Sequence, residues 1–138
     1  MAQRVRKANY CYVTVAARAA QGAKVLNALK DADINLLAFS GFPSGGGKAQ
    51  LDLIADKMAP IQRVARDNGW RVSKSKKCFL VQGDDAVGAC HRSLQKLADK
   101  KINVVAADGI AAGKGRFGMI LWVKPKDYRR AANVLNAK

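Results

Sequence analysis

An α+β fold, built twice over, is what this sequence predicts, and three observations predict it. The first is an internal repeat. Ile34, Asn35, Ala38, Gly41, Gly45, Gly47 and Lys48 recur 68 positions on as Ile102, Asn103, Ala106, Gly109, Gly113, Gly115 and Arg116. Leu26, Leu29 and Asp31 recur as Leu94, Leu97 and Asp99. Further upstream the offset becomes 67, and Arg4-Val5, Lys7 and Cys11-Tyr12-Val13 become Arg71-Val72, Lys74 and Cys78-Phe79-Leu80. One residue is therefore inserted between the two zones, in a loop. The second observation is periodicity that switches between two and 3.6 in the same order in both halves. The third is length. At 138 residues the chain suits one domain or two small ones, and the repeat favours two units. Units that small bury a modest fraction of their surface, so a shared core or an extended sheet is expected.

Each element of the first half has its own signal. Tyr10 to Val15 alternates and is rich in aromatic and branched residues, which reads as a strand. Ala20 to Ala32 places Gly22, Leu26 and Leu29 on one helical face. Ile34 to Phe39 reads as a second strand, and Gly41 to Lys48 holds four glycines, a proline and a serine, the chemistry of a hairpin loop. Gln50 to Ala55 is the third strand. Pro60 suits the first turn of a helix running to Asn68, with Met58, Ile61, Val64 and Ala65 as its apolar face, and Gly69 stops it.

The second half copies this order. Lys77 to Gln82 is a strand. Val87 to Lys101 is a helix with Cys90, Leu94 and Leu97 inward. Asn103 to Ala107 is a strand, Gly109 to Gly115 a hairpin loop and Arg116 to Val123 a strand. Asp127 can cap a last helix bearing Tyr128, Ala131, Ala132 and Leu135 on its inner face.

Each half is thus β-α-β-β-α and needs one more strand to close a ferredoxin-like βαββαβ unit. Arg71 to Lys76 can close the first unit, but no residues remain after Lys138 to close the second. Because Arg4 to Lys7 matches Arg71 to Lys74, the N-terminal segment is expected to supply that strand. The division expected is residues 1–76 and 77–138, with 1–8 completing the second unit by strand exchange, antiparallel sheets throughout and helices on one face.

The strand faces carry a further expectation. Cys11, Val13 and Val15 point to the helices, yet the opposite face still shows Tyr12, Phe79, Val81, Ile120 and Trp122. A sheet covered on one side is normally polar on the other. An apolar second face therefore points to burial against another copy of the chain, unless one strand is out by one residue, which flips every side chain in it.

Composition bounds the partners. The net charge is +15, and all ten acidic residues are aspartate. Basic residues are densest at Arg71, Lys74, Lys76, Lys77 and at Lys124, Lys126, Arg129, Arg130. That balance favours an anionic partner, although scattered charge is also an ordinary solvated surface. No apolar run approaches the ~20 residues of a bilayer span, and the start lacks a signal-peptide run. A soluble, cytoplasmic protein without a membrane partner is expected. Three cysteines, no Cys-x-x-Cys and one histidine read as small reduced core residues rather than a metal or redox centre.

The tandem β-α-β-β-α order resembles the ACT domain, a small regulatory module that commonly binds amino acids. Against the family pattern, roughly Pro-Gly-x-Leu, a Leu-rich helix, then Ala-Gly-Ile-Asn, the second half reads Val87-Gly88-Ala89-Cys90, Leu94-Gln95-Lys96-Leu97 and Lys100-Lys101-Ile102-Asn103, keeping the glycine and the Ile-Asn pair. The first half reads Ala19-Ala20-Gln21-Gly22, Leu26-Asn27-Ala28-Leu29 and Ala32-Asp33-Ile34-Asn35, with the family glycine falling on Ala20. The resemblance covers nearly the whole chain. It implies an effector held between two units, where the loop before the first helix of one faces the second strand of the other. A glycine there permits close approach, and helix-start N–H groups can hold a carboxylate. Carried over, the site is Asp84, Asp85, Val87, Gly88 and Ala89 facing Asn35 and Leu36, with Asp84 or Asp85 taking a ligand ammonium. A weaker mirrored site is Ala19, Ala20 and Gln21 against Asn103 and Val104, which lacks both the glycine and the aspartates. The plainer alternative is that Asp85 caps the helix and Gly88 serves packing.

No catalytic constellation is present. One histidine, no glutamate and no paired nucleophile leave little acid–base chemistry, and His91 diverges from Cys90 by about 100° on a helix. Gly45-Gly46-Gly47-Lys48 is not a phosphate loop, because Phe42 stands where a glycine is required and Ala49 where Ser or Thr is. Gly115-Arg116-Phe117-Gly118-Met119-Ile120 resembles the signature of RNA-recognition motifs, which share the βαββαβ order. It departs from that signature at Arg116 or Phe117, and the first repeat has no aromatic there. The sequence therefore reads as a non-enzymatic, amino-acid-binding regulatory protein. A homodimer or higher oligomer and a regulated protein partner are expected, and no cofactor. A basic nucleic-acid-binding protein and a ligand-free interaction module are the alternatives.

Overall fold

The computed structural model describes residues 3–138 of the chain. These form an α+β fold of antiparallel strands and helices, in two compact units, Asn9–Lys76 and residues 3–8 with Lys77–Lys138. Strand β1 (Gln3–Ala16) runs through both.

In the Asn9–Lys76 unit the elements after β1 are α1 (Gln21–Asp31), β2 (Ala38–Gly45), β3 (Lys48–Ala55), α2 (Ala59–Asp67) and β4 (Arg71–Val72). The strands lie in the order β2-β3-β1-β4, with Val13 opposite both Leu51 and Val72. Alternate residues of β1 and β3 (Cys11, Val13, Val15, Leu51, Leu53 and Ala55) share one core with Val25, Leu29, Ile61 and Ala65 of the helices. Leu53 and Ile61 are wholly buried, each worth about 1.5–3 kcal/mol of apolar burial.

In the other unit the elements are β5 (Lys76–Asp84), α3 (His91–Asp99), β6 (Val104–Gly113), β7 (Arg116–Val123), a 3-10 turn at Pro125–Asp127 and α4 (Tyr128–Leu135). The order is β6-β7-β5, and β1 flanks β5 on its other side. Val5, Phe79, Val81, Met119, Leu121 and Val123 meet Leu97, Ala131, Ala132 and Leu135 in its core. The Lys138 N–H donates to the Val5 carbonyl at 3.0 Å.

Several boundaries differ from the sequence expectation. Residues 34–37 lead into β2 rather than forming it, and the glycine-rich stretches are strand up to Gly45 and Gly113. Only the two-residue turns at Gly46-Gly47 and Lys114-Gly115 are loop. All four have positive φ (61°, 72°, 54° and 70°), the primed turn that matches strand twist. The closing strand after α2 shrinks to Arg71–Val72. Helix α3 starts at His91, because Val87–Cys90 turn before it. Asp127 precedes α4 but makes no side-chain cap.

The faces of β5 are also corrected. Phe79 and Val81 lie on the helix side, whereas Cys78, Leu80, Ile120 and Trp122 belong to neither helix-side core. Cys11 therefore corresponds to Phe79 at offset 68, not to Cys78 at 67. Val5 and Val72 still correspond at 67, since each packs toward its own unit's core. From Val5 to Cys11 is six residues of unbroken strand, an even number that keeps one face. From Val72 to Phe79 is seven, and the strand breaks at residues 73–75, where the extra residue is absorbed. The remaining second-face side chains need no other copy to cover them. Leu80, Ile120 and Trp122 are already 6%, 6% and 5% exposed in the single chain.

Candidate functional site

The loop from Asp84 to Cys90 is built from its two anchors. Asp84 ends β5 opposite Arg116, the first residue of β7, and Arg116 Nη1 donates to Asp84 Oδ1 at 2.8 Å. Both side chains are half exposed (54% and 50%), so the pair contributes about 1 kcal/mol at most. The Asp85 N–H donates to the Gly115 carbonyl at 2.8 Å and ties the loop to the β6–β7 turn. Two local turns follow, from the Ala89 N–H to the Ala86 carbonyl and from the His91 N–H to the Gly88 carbonyl, both 3.0 Å. They require Gly88 at φ +80°, a conformation that disfavours a side chain. Gln3 Nε2 donates to the Ala89 carbonyl at 2.9 Å. Val87 stands fully in solvent.

This leaves specific groups available. Among the described residues the Asp85 carboxylate has no hydrogen-bond or ion-pair partner. Among the described residues the N–H groups of Val87, Gly88 and Cys90 donate to no backbone carbonyl. Asp84, by contrast, is already paired, so Asp85 is the better of the two for a ligand cation. Asp85 does not cap α3, whose N-cap is Cys90 with no side-chain bond.

The first repeat builds the same loop from different residues. The Ala17 N–H donates to the Gly47 carbonyl at 2.9 Å and the Gln21 N–H to the Arg18 carbonyl at 3.3 Å. These are the Asp85–Gly115 and Ala89–Ala86 bonds shifted by 68. Ala20 takes φ 74°, nearly that of Gly88, although it is alanine. The loops match in backbone shape and differ in chemistry, for Ala16 and Ala17 stand where Asp84 and Asp85 do.

Asn35 and Leu36 lie in the segment between α1 and β2. With Leu26, Leu29, Lys30, Asp33 and Ile34 they line an open cleft of about 390 Å³. Asn103 is exposed, and Val104 starts β6 opposite Val123, packed against its unit's core. Asp84, Asp85, Val87, Gly88 and Ala89 thus lie at the β5–α3 connection, and Asn103 and Val104 lie at the start of β6 in the same unit, while Asn35, Leu36, Ala19, Ala20 and Gln21 belong to the Asn9–Lys76 unit. The Arg116–Asp84 pair, the Gln3 tie and the cleft beside α1 were not expected.

The described residues contain no group of three His, Cys, Asp or Glu placed to hold a metal ion. His91 hydrogen-bonds Gln95 at 3.1 Å on the exposed side of α3, and Gln95 in turn donates to Asp99 at 2.7 Å. Cys11 and Cys78 are buried free thiols and Cys90 is half buried. Among the described residues no helix is long and apolar enough to cross a membrane.

No protein-family description matches the sequence, and no curated protein matches it. Solved structures do match in fold. Protein BT0572 from Bacteroides thetaiotaomicron superposes with a TM-score of 0.80 at 15% identity, over 96% of this chain and 88% of that one. The ligand-free regulatory subunit of aspartate kinase from Thermus thermophilus superposes at 0.66 with 14% identity, over 98% and 93%. Aspartokinase III from E. coli, solved with aspartate and ADP, gives 0.58 at 15% identity, over 98% of this chain but 32% of that one. Over nearly its whole length the chain therefore has the ACT-like fold of aspartate kinase regulatory domains.

Proposed function

We propose that this protein is a non-catalytic regulatory module that binds an amino acid or a similar small effector. One observation carries the reading. The chain matches the Thermus regulatory subunit over almost all of both chains, and it spans only about a third of a complete aspartokinase. That the shared part corresponds in fold to a regulatory subunit supports a non-catalytic reading. In this reading the chain is two ferredoxin-like units, residues 1–76 and 77–138, with residues 1–8 exchanged into the second. The strand orders of the two units support it.

The effector takes its contacts from Asp84, Asp85, Val87, Gly88 and Ala89 and from Asn35 and Leu36. Unpaired N–H groups at Val87, Gly88 and Cys90 suit a carboxylate, and the unpartnered Asp85 suits an ammonium group. Those two charges in one loop are the two ends of an α-amino acid. The equivalent set at Ala19, Ala20, Gln21, Asn103 and Val104 has the same backbone without the acid, so it binds more weakly. A homo-oligomer and a regulated protein partner in the cytoplasm complete the proposal. Ligand acts by favouring one of two arrangements, which requires different affinity for each.

The RNA-recognition alternative needs aromatic rings presented on an open sheet. Phe117, the aromatic of the segment that resembles that signature, is only 4% exposed, so that segment presents no ring for stacking. Calorimetric titration with amino acids tests the proposal. Binding to the wild type that drops at least about tenfold in Asp85→Ala, the loss of roughly one charge-assisted contact, is expected. Equal affinity in the variant removes the assigned site.

A further inference from the structure

We propose that a basic patch around Tyr128 binds the sugar–phosphate backbone of nucleic acid without reading its bases. The patch lies wholly within the unit containing β5, β7 and α4. Lys77 Nζ sits 5.7 Å from the centre of the Tyr128 ring, which brings the start of β5 to the start of α4. Lys124 and Lys126 flank Pro125 just before that ring, and Arg129 and Arg130 follow it. All five cations are exposed, and none has an ion-pair partner among the described residues. The one acid in this stretch is Asp127.

The internal repeat argues that the patch is more than bulk charge. The residues 68 positions earlier than Lys77, Lys124, Lys126, Arg129 and Arg130 are Asn9, Asp56, Met58, Ile61 and Gln62. None is basic and one is acidic, so the same fold is built without these charges in its other copy. Tyr128 is not free to stack on a base. Its ring lies 4.4 Å from that of Phe79 at 3°, and its hydroxyl donates to the Cys78 carbonyl at 2.8 Å. Exposed cations without an exposed stacking ring fit phosphates, giving sequence-independent, salt-sensitive binding. This surface is separate from the effector loop and does not rest on that reading.

The test uses fluorescence anisotropy of the full chain with a labelled oligouridylate of roughly 16 nucleotides, in salt from about 50 to 200 mM. The triple variant Lys124→Ala, Lys126→Ala, Arg129→Ala is expected to lose affinity at least about tenfold. It should also lower the slope of log affinity against log salt by about 2. The equally charge-reduced variant Lys24→Ala, Arg63→Ala, Arg66→Ala, on α1 and α2, is expected to keep the wild-type slope. Far-ultraviolet circular dichroism and melting temperature verify that both variants fold. Equal losses in the two triples, no binding at the lowest salt, or binding to phosphatidylserine vesicles but not to the oligonucleotide would each overturn the proposal.

Discussion

Ala20 occupies a left-handed backbone conformation, φ 74°, that its repeat partner Gly88 reaches at φ 80° without a side chain. An L-residue there pays roughly 1–2 kcal/mol. Ala20→Gly is expected to stabilise the fold by about 0.5–1 kcal/mol in urea denaturation, after the entropy that glycine adds to the unfolded chain. Gly88→Ala is expected to destabilise by about 1–2 kcal/mol. Nothing lies within 4 Å of the added Cβ, so the cost comes from the backbone alone. A destabilised Ala20→Gly contradicts the account. The sequence pattern located this position in both halves, but it could not show that alanine is held in a glycine's conformation.

A buried thiol and a half-buried phenol set the alkaline limit. Burial, helped by the Asp52 carboxylate, pushes the Cys11 thiol up to about 11 from 9.0. Burial and then Cys78 push the Tyr128 hydroxyl up to about 12 from 10.0, against a backbone hydrogen bond from Ala8. In both cases the fold prefers the neutral form. The stabilisation is therefore intact below the ordinary values and is lost as pH rises through the folded ones. Melting temperature should hold from pH 7 to about 9 and fall between about 9 and 12. A fall already complete below pH 9 would point to other groups.

At the scale of elements, glycines misled in one direction. Gly41 to Lys48 and Gly109 to Gly115 have loop composition, yet β2 and β6 run through most of both stretches. In β2 and β6 the glycine makes room for a neighbour. A Cβ on Gly41 would come within 2.9 Å of Leu51 Cδ2, and one on Gly109 within 2.9 Å of Cys90 Sγ. Composition shows that a glycine is present but not which side chain lies over it. Gly109→Ala is expected to cost about 1–3 kcal/mol through overpacking. Adding Cys90→Ala, which removes the sulfur, should recover part of that loss in a double-mutant cycle. Strict additivity would show that the two do not touch. Strand β7, by contrast, was legible to the residue, because its alternation is bounded by Gly115 and by Lys124-Pro125.

At the scale of the whole molecule the repeat carried most of the information. It gave the element order twice and identified the start of the chain as the partner of Arg71–Val72. Its offset was legible except in the first strand, where matching cysteines suggested 67 and the cores follow 68. Identical residues outweighed parity there, and only the break at residues 73–75 explains the difference. Val5, 8% exposed, ties the N-terminal segment into the core of the Lys77–Lys138 unit. Val5→Asp is expected to destabilise that unit by about 2–4 kcal/mol, a buried charge without a partner. An unchanged urea midpoint would mean that β1 is dispensable to it. The site loop was legible in outline, while the Arg116 partner that occupies Asp84 was not, since that pair joins β7 to β5 and needs their register.

The regulatory reading is tested most directly by a thermal-shift screen of the twenty amino acids against the full chain. At least one is expected to raise the melting temperature, since a ligand at 100 times its dissociation constant stabilises by about 2.7 kcal/mol. The same ligand should give a smaller shift with Asp85→Ala. A melting temperature that no amino acid moves would contradict the account.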